Sequence, residues 1–280
     1  MTNNNILAKE REEARVLMIG DVVGKPGRDV VVQRLGDIRT RYQVDFVIAN
    51  VENAAGGSGV TPEIYNALLN AGIDCATLGD HAFRQKSFIP VYRSSDRRVV
   101  RPANLQPDAP GKGWTVLEIP ATESRAAVKI GVAALLGRYF MPTPGDSLLP
   151  AVDKILERFA DVKVRFIDLH AEATSEKQLV ARYLDGKVTA ALGTHTHVAT
   201  ADERVLPNGT AFQCDVGMTG PFESVIGRKI DSVLEHYRTG CPVSFEVANG
   251  FARLNGTLVD VDPSSGKATR VQRLDFGIED

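Results

Sequence analysis

VTAALGTHTHVATADERVLPNGTAF, residues 188–212, holds the stretch that decides the fold. Its first six residues are small, branched and apolar, of strand length, and they stop at Gly193. Metal-ligand residue types follow at once as His195 and His197, with Thr196 between them. This is the signature of a buried strand in an α/β sheet. In such sheets the carboxyl ends of strands line the ligand crevice, so side chains placed there converge although distant in sequence. In a regular strand His195 and His197 would share a face; in a loop they can diverge toward two ions.

The same event recurs along the chain. RVLMIG (15–20) runs into Asp21, DFVIAN (45–50) is followed by Glu52 and Asn53, and DCATLG (74–79) by Asp80 and His81. VRFIDL (164–169) runs straight into His170, and VKIGVAALLG (128–137) is a further strand candidate. Helices fit between them. Val31, Leu35, Ile38 and Tyr42 recur at near-helical spacing, and 149–160 and 175–184 read likewise. Thr61-Pro62 suits a helix start, with Ile64, Ala67, Leu68 and Ala71 on one face and Gly72 at its end. Beyond 210 the chain turns β-rich in TAFQCDVG, PVSFEVANGFARLNGTLVDVD and ATRVQRLDF, with turns expected at Asn249-Gly250 and Asn255-Gly256. Residues 101–120 read as a long surface loop and AAGGSG (54–59) as a flexible loop at the site rim. The expectation is one α/β domain with mixed sheets over 15–280, preceded by a short N-terminal extension over 1–14.

Bulk composition narrows the function. Of 280 residues, 33 are Lys or Arg and 35 Asp or Glu, so the net charge is −2. That lacks the basic excess of strong non-specific nucleic-acid binders. A nucleotide or an RNA end stays open as substrate, because metals can supply positive charge locally. Three scattered cysteines without CxxC spacing argue against a disulfide framework or a zinc-thiolate site. The polar start, MTNNNILAKEREEAR, lacks the apolar stretch of a signal peptide, and no apolar run is long enough to span a membrane. A cytoplasmic protein is expected.

The chemistry lies in the strand ends. The chain has five histidines, and His81, His170, His195 and His197 follow strands, whereas His236 lies in the helical stretch SVLEHYR and reads as a surface residue. Singly, each has a plainer reading, Asp21 as a turn residue and His170 as a satisfied core histidine. Their recurrence at strand ends argues for a shared site. Three carboxylates and three imidazoles are too many ligands for one catalytic ion, and suit two metals with one carboxylate bridging. Such pairs, about 3.5–4 Å apart, clamp phosphoryl groups and acidify a shared water. A further imidazole can protonate the leaving oxygen. The ligand types suit Fe or Mn, with Zn or Mg as other choices. No GxxxxGK[ST] or strand–GxGxxG–helix pattern occurs.

GDVVGKPGRD (20–29), ANVENAAGGSGVT (49–61), LGDHAF (78–83), RPANL (101–105), DLHAEATSEK (168–177), GTHTHVATADERVLPNGTAF (193–212) and DVGMTGP (215–221) together resemble the YmdB-like branch of the calcineurin-like metallophosphoesterases. The resemblance spans about residues 15–275. It implies a four-layer α/β/β/α sandwich and a homo-oligomeric phosphodiesterase acting on cyclic nucleotides, 2′,3′-cyclic ones included, through a hydroxide between two metals. It further implies that Asp21, Asn53 and His197 hold one metal and Asp80, His170 and His195 the other, with Glu52 bridging. His81 would be the general acid or would steady the phosphate. One position departs from the family pattern, which has Gly-Asn-His where this chain has Gly79-Asp80-His81. The extra negative charge favours a trivalent ion such as Fe(III) or softens the grip on an anionic phosphate. Two other readings compete: a phosphomonoesterase or nuclease on the same site, for which Arg101 and Arg138 are candidate clamps, and a regulatory or RNA-interacting protein with a weakly active metal site.

Overall fold

The computed structural model describes residues 11–142 and 145–278. Its first half runs β1 (Ala14–Ile19), β2 (Asp21–Val22), α1 (Gly24–Tyr42), β3 (Phe46–Asn50), α2 (Pro62–Asn70), β4 (Cys75–Thr77), α3 (Ile89–Arg93) and β5 (Val99–Val100). The middle adds β6 (Trp114–Ile119), β7 (Val128–Leu136), α4 (Leu148–Arg158), β8 (Val164–His170), α5 (Thr174–Leu184) and β9 (Ala190–Thr194). Then come β10 (Arg204–Val205), β11 (Ala211–Gln213), β12 (Met218–Pro221), α6 (Ile230–Thr239), β13 (Ala252–Val261) and β14 (Ala268–Gly277).

The strands form two mixed sheets. The first has the order β2-β12-β13-β1-β3-β4-β5 with β14 on β13; the second has the order β10-β11-β9-β8-β7-β6. β1, β3, β4 and β5 run parallel, as do β7, β8 and β9, so their carboxyl ends lie together within each sheet. Strand alternation sorts the apolar residues into layers. Leu17, Ile19, Val47 and Ala49 pack outward with Val31, Leu35 and Ile38 of α1 and with Tyr65 and Leu68 of α2. Val16, Met18, Phe46 and Ile48 face inward and meet Ile130, Val132, Phe166 and Leu192 of the second sheet. Ala133, Leu135, Ile167 and Ala191 pack outward against α4 and α5 through Val152, Ile155 and Val180. These are the four layers, α/β/β/α, of the metallophosphoesterase sandwich expected from the sequence.

Several details differ from expectation. Residues 114–119 form β6, paired antiparallel with β7, so the loop is shorter than 101–120. Arg101 and Asn104 in it are buried rather than superficial. Asn255-Gly256 makes no turn: it continues β13, with Gly256 opposite Ile19 on one side and Leu274 on the other. Flanking strands on both sides hold the dipeptide extended, and the Asn255 side chain bonds to the Met218 carbonyl at 2.9 Å. PVSFEV (242–247) lies outside every strand and carries only an isolated bridge at Val247. In α2 the buried face is Tyr65 and Leu68, while Ala67 is exposed. The expected extension over 1–14 falls mostly outside the described residues. No described helix is long and apolar enough to cross a membrane.

Candidate metal centre

The first sheet delivers the carboxylates. Asp21 opens β2, Glu52 and Asn53 follow β3, and Asp80 and His81 follow β4. The second sheet delivers His170 as the last residue of β8, and His195 and His197 just after β9. All eight residues named from the sequence meet at the carboxyl ends of the strands, where the two sheets face each other.

His170 is fully buried and central. Its Nε2 lies 3.1 Å from Glu52 Oε1, 3.1 Å from Asp80 Oδ1 and 3.1 Å from His195 Nδ1. Glu52, Asp80, His170 and His195 thus form a compact group able to hold a metal ion. The second group is looser. His197 Nε2 stands 3.9 Å from Asp21 Oδ1 and 3.2 Å from Asn53 Nδ2. Glu52 belongs to both, since its Oε1 also lies 3.4 Å from Asn53 Nδ2. The arrangement puts Glu52 between an Asp-Asn-His set and an Asp-His-His set. Asn53 turns its Oδ1 to His81 Nδ1 at 2.8 Å, and His81 Nε2 lies 3.4 Å from Asp80 Oδ2. His81 is partly exposed at the rim.

The backbone explains how His195 and His197 diverge. Both take positive φ, 100° and 65°, conformations that non-glycine residues adopt only when held. The holding bonds are visible. Asp21 Oδ2 accepts from the His195 amide and Asp215 Oδ2 from the Thr196 amide, each at 3.0 Å. The loop reading of the His-Thr-His motif is the one the structure adopts. Gly79 is required for a different reason: a Cβ there would overlap the His170 ring and Glu52 Oε2.

The electrostatics call for cations. Burial raises the Asp21 carboxyl to about 7 despite the pull of His170. Its Oδ1 is buried without a hydrogen-bond partner. Burial alone would depress His170, but the charge of Glu52, hydrogen bonds with Asp80 and Glu52, and the charge of Asp21 hold it well above its ordinary value. Burial works against the ionised forms of Glu52 and Asp80 too, yet interaction with His170 brings both below the ordinary carboxylate value. Burial lowers His197, against its bond to the Ile226 carbonyl. The carboxylates thus crowd round His170 Nε2, and the Asp21 Oδ1 lone pairs are unused by any protein donor. The donor set of carboxylates and imidazoles fits two metal ions.

Surrounding groups fix the ligands. His170 Nδ1 bonds to Thr194 Oγ1 at 2.9 Å, and Thr194 Oγ1 donates to Asp168 Oδ1 at 2.6 Å. Asn50 and Thr77 donate to Asp168 Oδ2 at 3.0 and 2.5 Å. This relay holds the His170 ring with Nε2 toward the cluster. On the other imidazole, His195 Nε2 lies 3.3 Å from Glu172 Oε2, while Nδ1 faces Asp80 and His170. Buried Lys177 pairs with Asp215 at 2.7 Å, and Asp215 in turn caps the Thr196 and Gly217 amides. Sequence reasoning left out Glu172, Lys177 and Asp168, although all three lie in DLHAEATSEK; Thr194 and Asp215 likewise sit in quoted motifs. Arg101, considered as a phosphate clamp, bonds to the Pro102 and Ala109 carbonyls and has no hydrogen bond or ion pair with the metal-site residues. The AAGGSG loop is tied down, Arg228 donating to the Gly57 carbonyl at 2.6 Å.

A model of the YmdB-like protein family matches residues 17–274. The chain belongs to the YmdB-like family. A Bacillus subtilis relative, a 2′,3′-cyclic-nucleotide 2′-phosphodiesterase, is 42% identical over 260 residues, covering 93% of this chain and 96% of the relative. Among solved structures, a hypothetical protein from Thermus thermophilus superposes with a TM-score of 0.85 at 41% identity, covering 94% of this chain and 99% of that one. A structure described as a novel phosphatase from Mycoplasma pneumoniae gives a TM-score of 0.87 at 32% identity, covering 96% and 95%.

Proposed function

We propose that this YmdB-like chain is a two-metal phosphodiesterase that hydrolyses cyclic nucleotides, 2′,3′-cyclic ones first and 3′,5′-cyclic ones as a further class. One observation carries the reading: three carboxylates meet three imidazoles where the sheets face each other, with Asp21 Oδ1 left without a hydrogen-bond partner. The 42% identical phosphodiesterase of Bacillus subtilis supports the substrate class. Asp21, Asn53 and His197 would hold one ion and Asp80, His170 and His195 the other, with Glu52 shared. Two ions there would supply Lewis acidity, offsetting phosphate charge and acidifying water. Fe and Mn suit the donors, and Asp80 adds a negative charge that favours a trivalent ion.

The chain's own residues do the rest. The Thr194–Asp168 relay and Glu172 orient His170 and His195. His81, poised at the rim, donates to the leaving oxygen or to the phosphate. Our reading of the chain as one domain over 15–280, a cytoplasmic homo-oligomer without strong non-specific nucleic-acid binding, rests on composition and on the resemblance.

Substrate choice is tested by comparing 2′,3′-cAMP, 3′,5′-cAMP and p-nitrophenyl phosphate. The proposal expects the cyclic diesters to outrun the monoester; preference for the monoester would replace it with a phosphomonoesterase. The role of His81 is read from His81→Ala on two leaving groups. Loss on a poor leaving group, with recovery on p-nitrophenolate, identifies a general acid, whereas equal loss identifies a phosphate-steadying group.

A further inference from the structure

A cavity of about 520 Å³ opens on the outer side of the second sheet, between residues 101–114 and α4. Its volume suits a small-molecule ligand, and none of the metal-site residues lines it. Its lining includes four cationic residues, Arg101, Lys112, Lys154 and Arg158, against two acidic ones, Asp146 and Glu157. The chain as a whole carries a net charge of −2, so this wall stands out from the rest of the molecule.

Arg101 is the decisive residue. It is only 6% exposed, and among the described residues no carboxylate pairs with it. Two of its nitrogens bond to backbone carbonyls, Nη1 to Pro102 at 2.6 Å and Nη2 to Ala109 at 3.2 Å. Its Nε is buried with no partner. A guanidinium taken out of water without a counter-charge is costly, and an anion in the cavity would offset that cost. Lys112 and Lys154 are exposed, and neither pairs with a carboxylate among the described residues. Ser147, just before α4, also lines the cavity and adds a hydroxyl to the same wall. Trp114 completes the wall, with the Arg158 guanidinium 5.8 Å from its ring centre.

We propose that this cavity binds a small phosphorylated anion at a site separate from the metal centre. The buried guanidinium supplies the fixed charge, the two lysines close over the ligand from solvent, and the Ser147 hydroxyl is a further donor to the phosphate oxygens. Asp146 and Glu157 restrict entry to ligands whose charge is concentrated at the Arg101 end.

The chain has one tryptophan, Trp114, so its emission reports on the surroundings of that ring. The full-length enzyme is titrated with inorganic pyrophosphate and with ADP at low ionic strength, by fluorescence and by calorimetry. The expected result is a saturable change that weakens as salt is added. In a Lys112→Ala/Lys154→Ala double variant affinity falls by about tenfold or more, as two lost charge-assisted contacts would require. Both lysines lie outside the metal centre, so phosphodiester turnover stays unchanged in that variant. Tighter binding of ADP would identify a nucleotide as the ligand, and equal binding would show that the phosphate groups alone are recognised. The proposal is overturned if neither ligand gives saturable binding at millimolar concentration, or if the double variant binds both as tightly as the wild type.

Discussion

The two sheets contribute opposite chemistry to one site. The first brings Asp21, Glu52 and Asp80, and the second brings His170, His195 and His197. Neither set is comfortable alone: three carboxylates, two of them fully buried, repel, and the buried His170 would lack counter-charge. Together they offset unevenly. Around Asp80, His170 and His195 the groups pair closely, at 3.1–3.5 Å. Around Asp21 and His197 they stay apart at 3.9 Å, with a partnerless oxygen and both charged forms disfavoured by burial. The lesson is that the apolar layer between the sheets brings together two sets of polar side chains that neither sheet could complete alone.

The largest test removes the hub of the paired half. His170→Ala should abolish binding of one metal and lower kcat/KM by about 10³-fold or more, the scale of several kcal/mol of lost charge stabilisation. Metal content and steady-state kinetics read both. Next comes the support of the loop that carries His195 and His197. Lys177→Met leaves Asp215 buried and unpaired, and should cost about 3–5 kcal/mol of stability in a denaturant melt. Glu172→Ala acts on His195 alone and should lower metal affinity or activity about 10–100-fold. Glu172→Gln should recover part of that loss, because an amide oxygen can still accept from Nε2.

The smallest effect sharpens the contrast between the halves. In metal-free protein both Asp21 and His170 have folded-state pKa values above their unfolded ones. Their contribution is therefore full at low pH and lost as pH rises through the folded values. Glu52 and Asp80 are shifted the other way, and their contribution is already complete above the ordinary carboxylate range. His197, lowered by burial, works the other way as pH rises past its ordinary value. The two raised groups outweigh it, so metal-free protein should melt lower at pH 8 than at pH 6, and Asp21→Asn should flatten or reverse that slope. Metal loading should remove most of the difference. A rising Tm over that interval would contradict the assigned shifts.

Much of this was legible in the chain. Apolar runs of strand length ending in Asp21, Glu52, Asp80, His170 and His195 predict both the parallel strands and the convergence at their ends, because strand termini in such sheets share a crevice. The supporting groups were not legible by the same reasoning. Asp168 sits inside an apolar strand, and only the meeting of Asn50, Thr77 and Thr194 from three other strand ends shows why a carboxylate is tolerated there. Lys177 finds Asp215 across 38 positions, a distance no local pattern reports. Asn255-Gly256 carries a turn signal that two flanking strands override. Trp114 and the rest of β6 were hidden by the Pro- and Gly-rich run before them.

The central claim is that carboxylates of one sheet and imidazoles of the other jointly hold two ions that hydrolyse a phosphodiester. Mass-spectrometric metal counting, paired with turnover of bis-p-nitrophenyl phosphate by wild type and by His195→Ala, tests it directly. The account predicts roughly two metals per chain for the wild type, and loss of both turnover and a metal in the variant. Folded wild type that takes up no metal after reconstitution with Fe or Mn, or a variant that turns over as fast as the wild type, would contradict it.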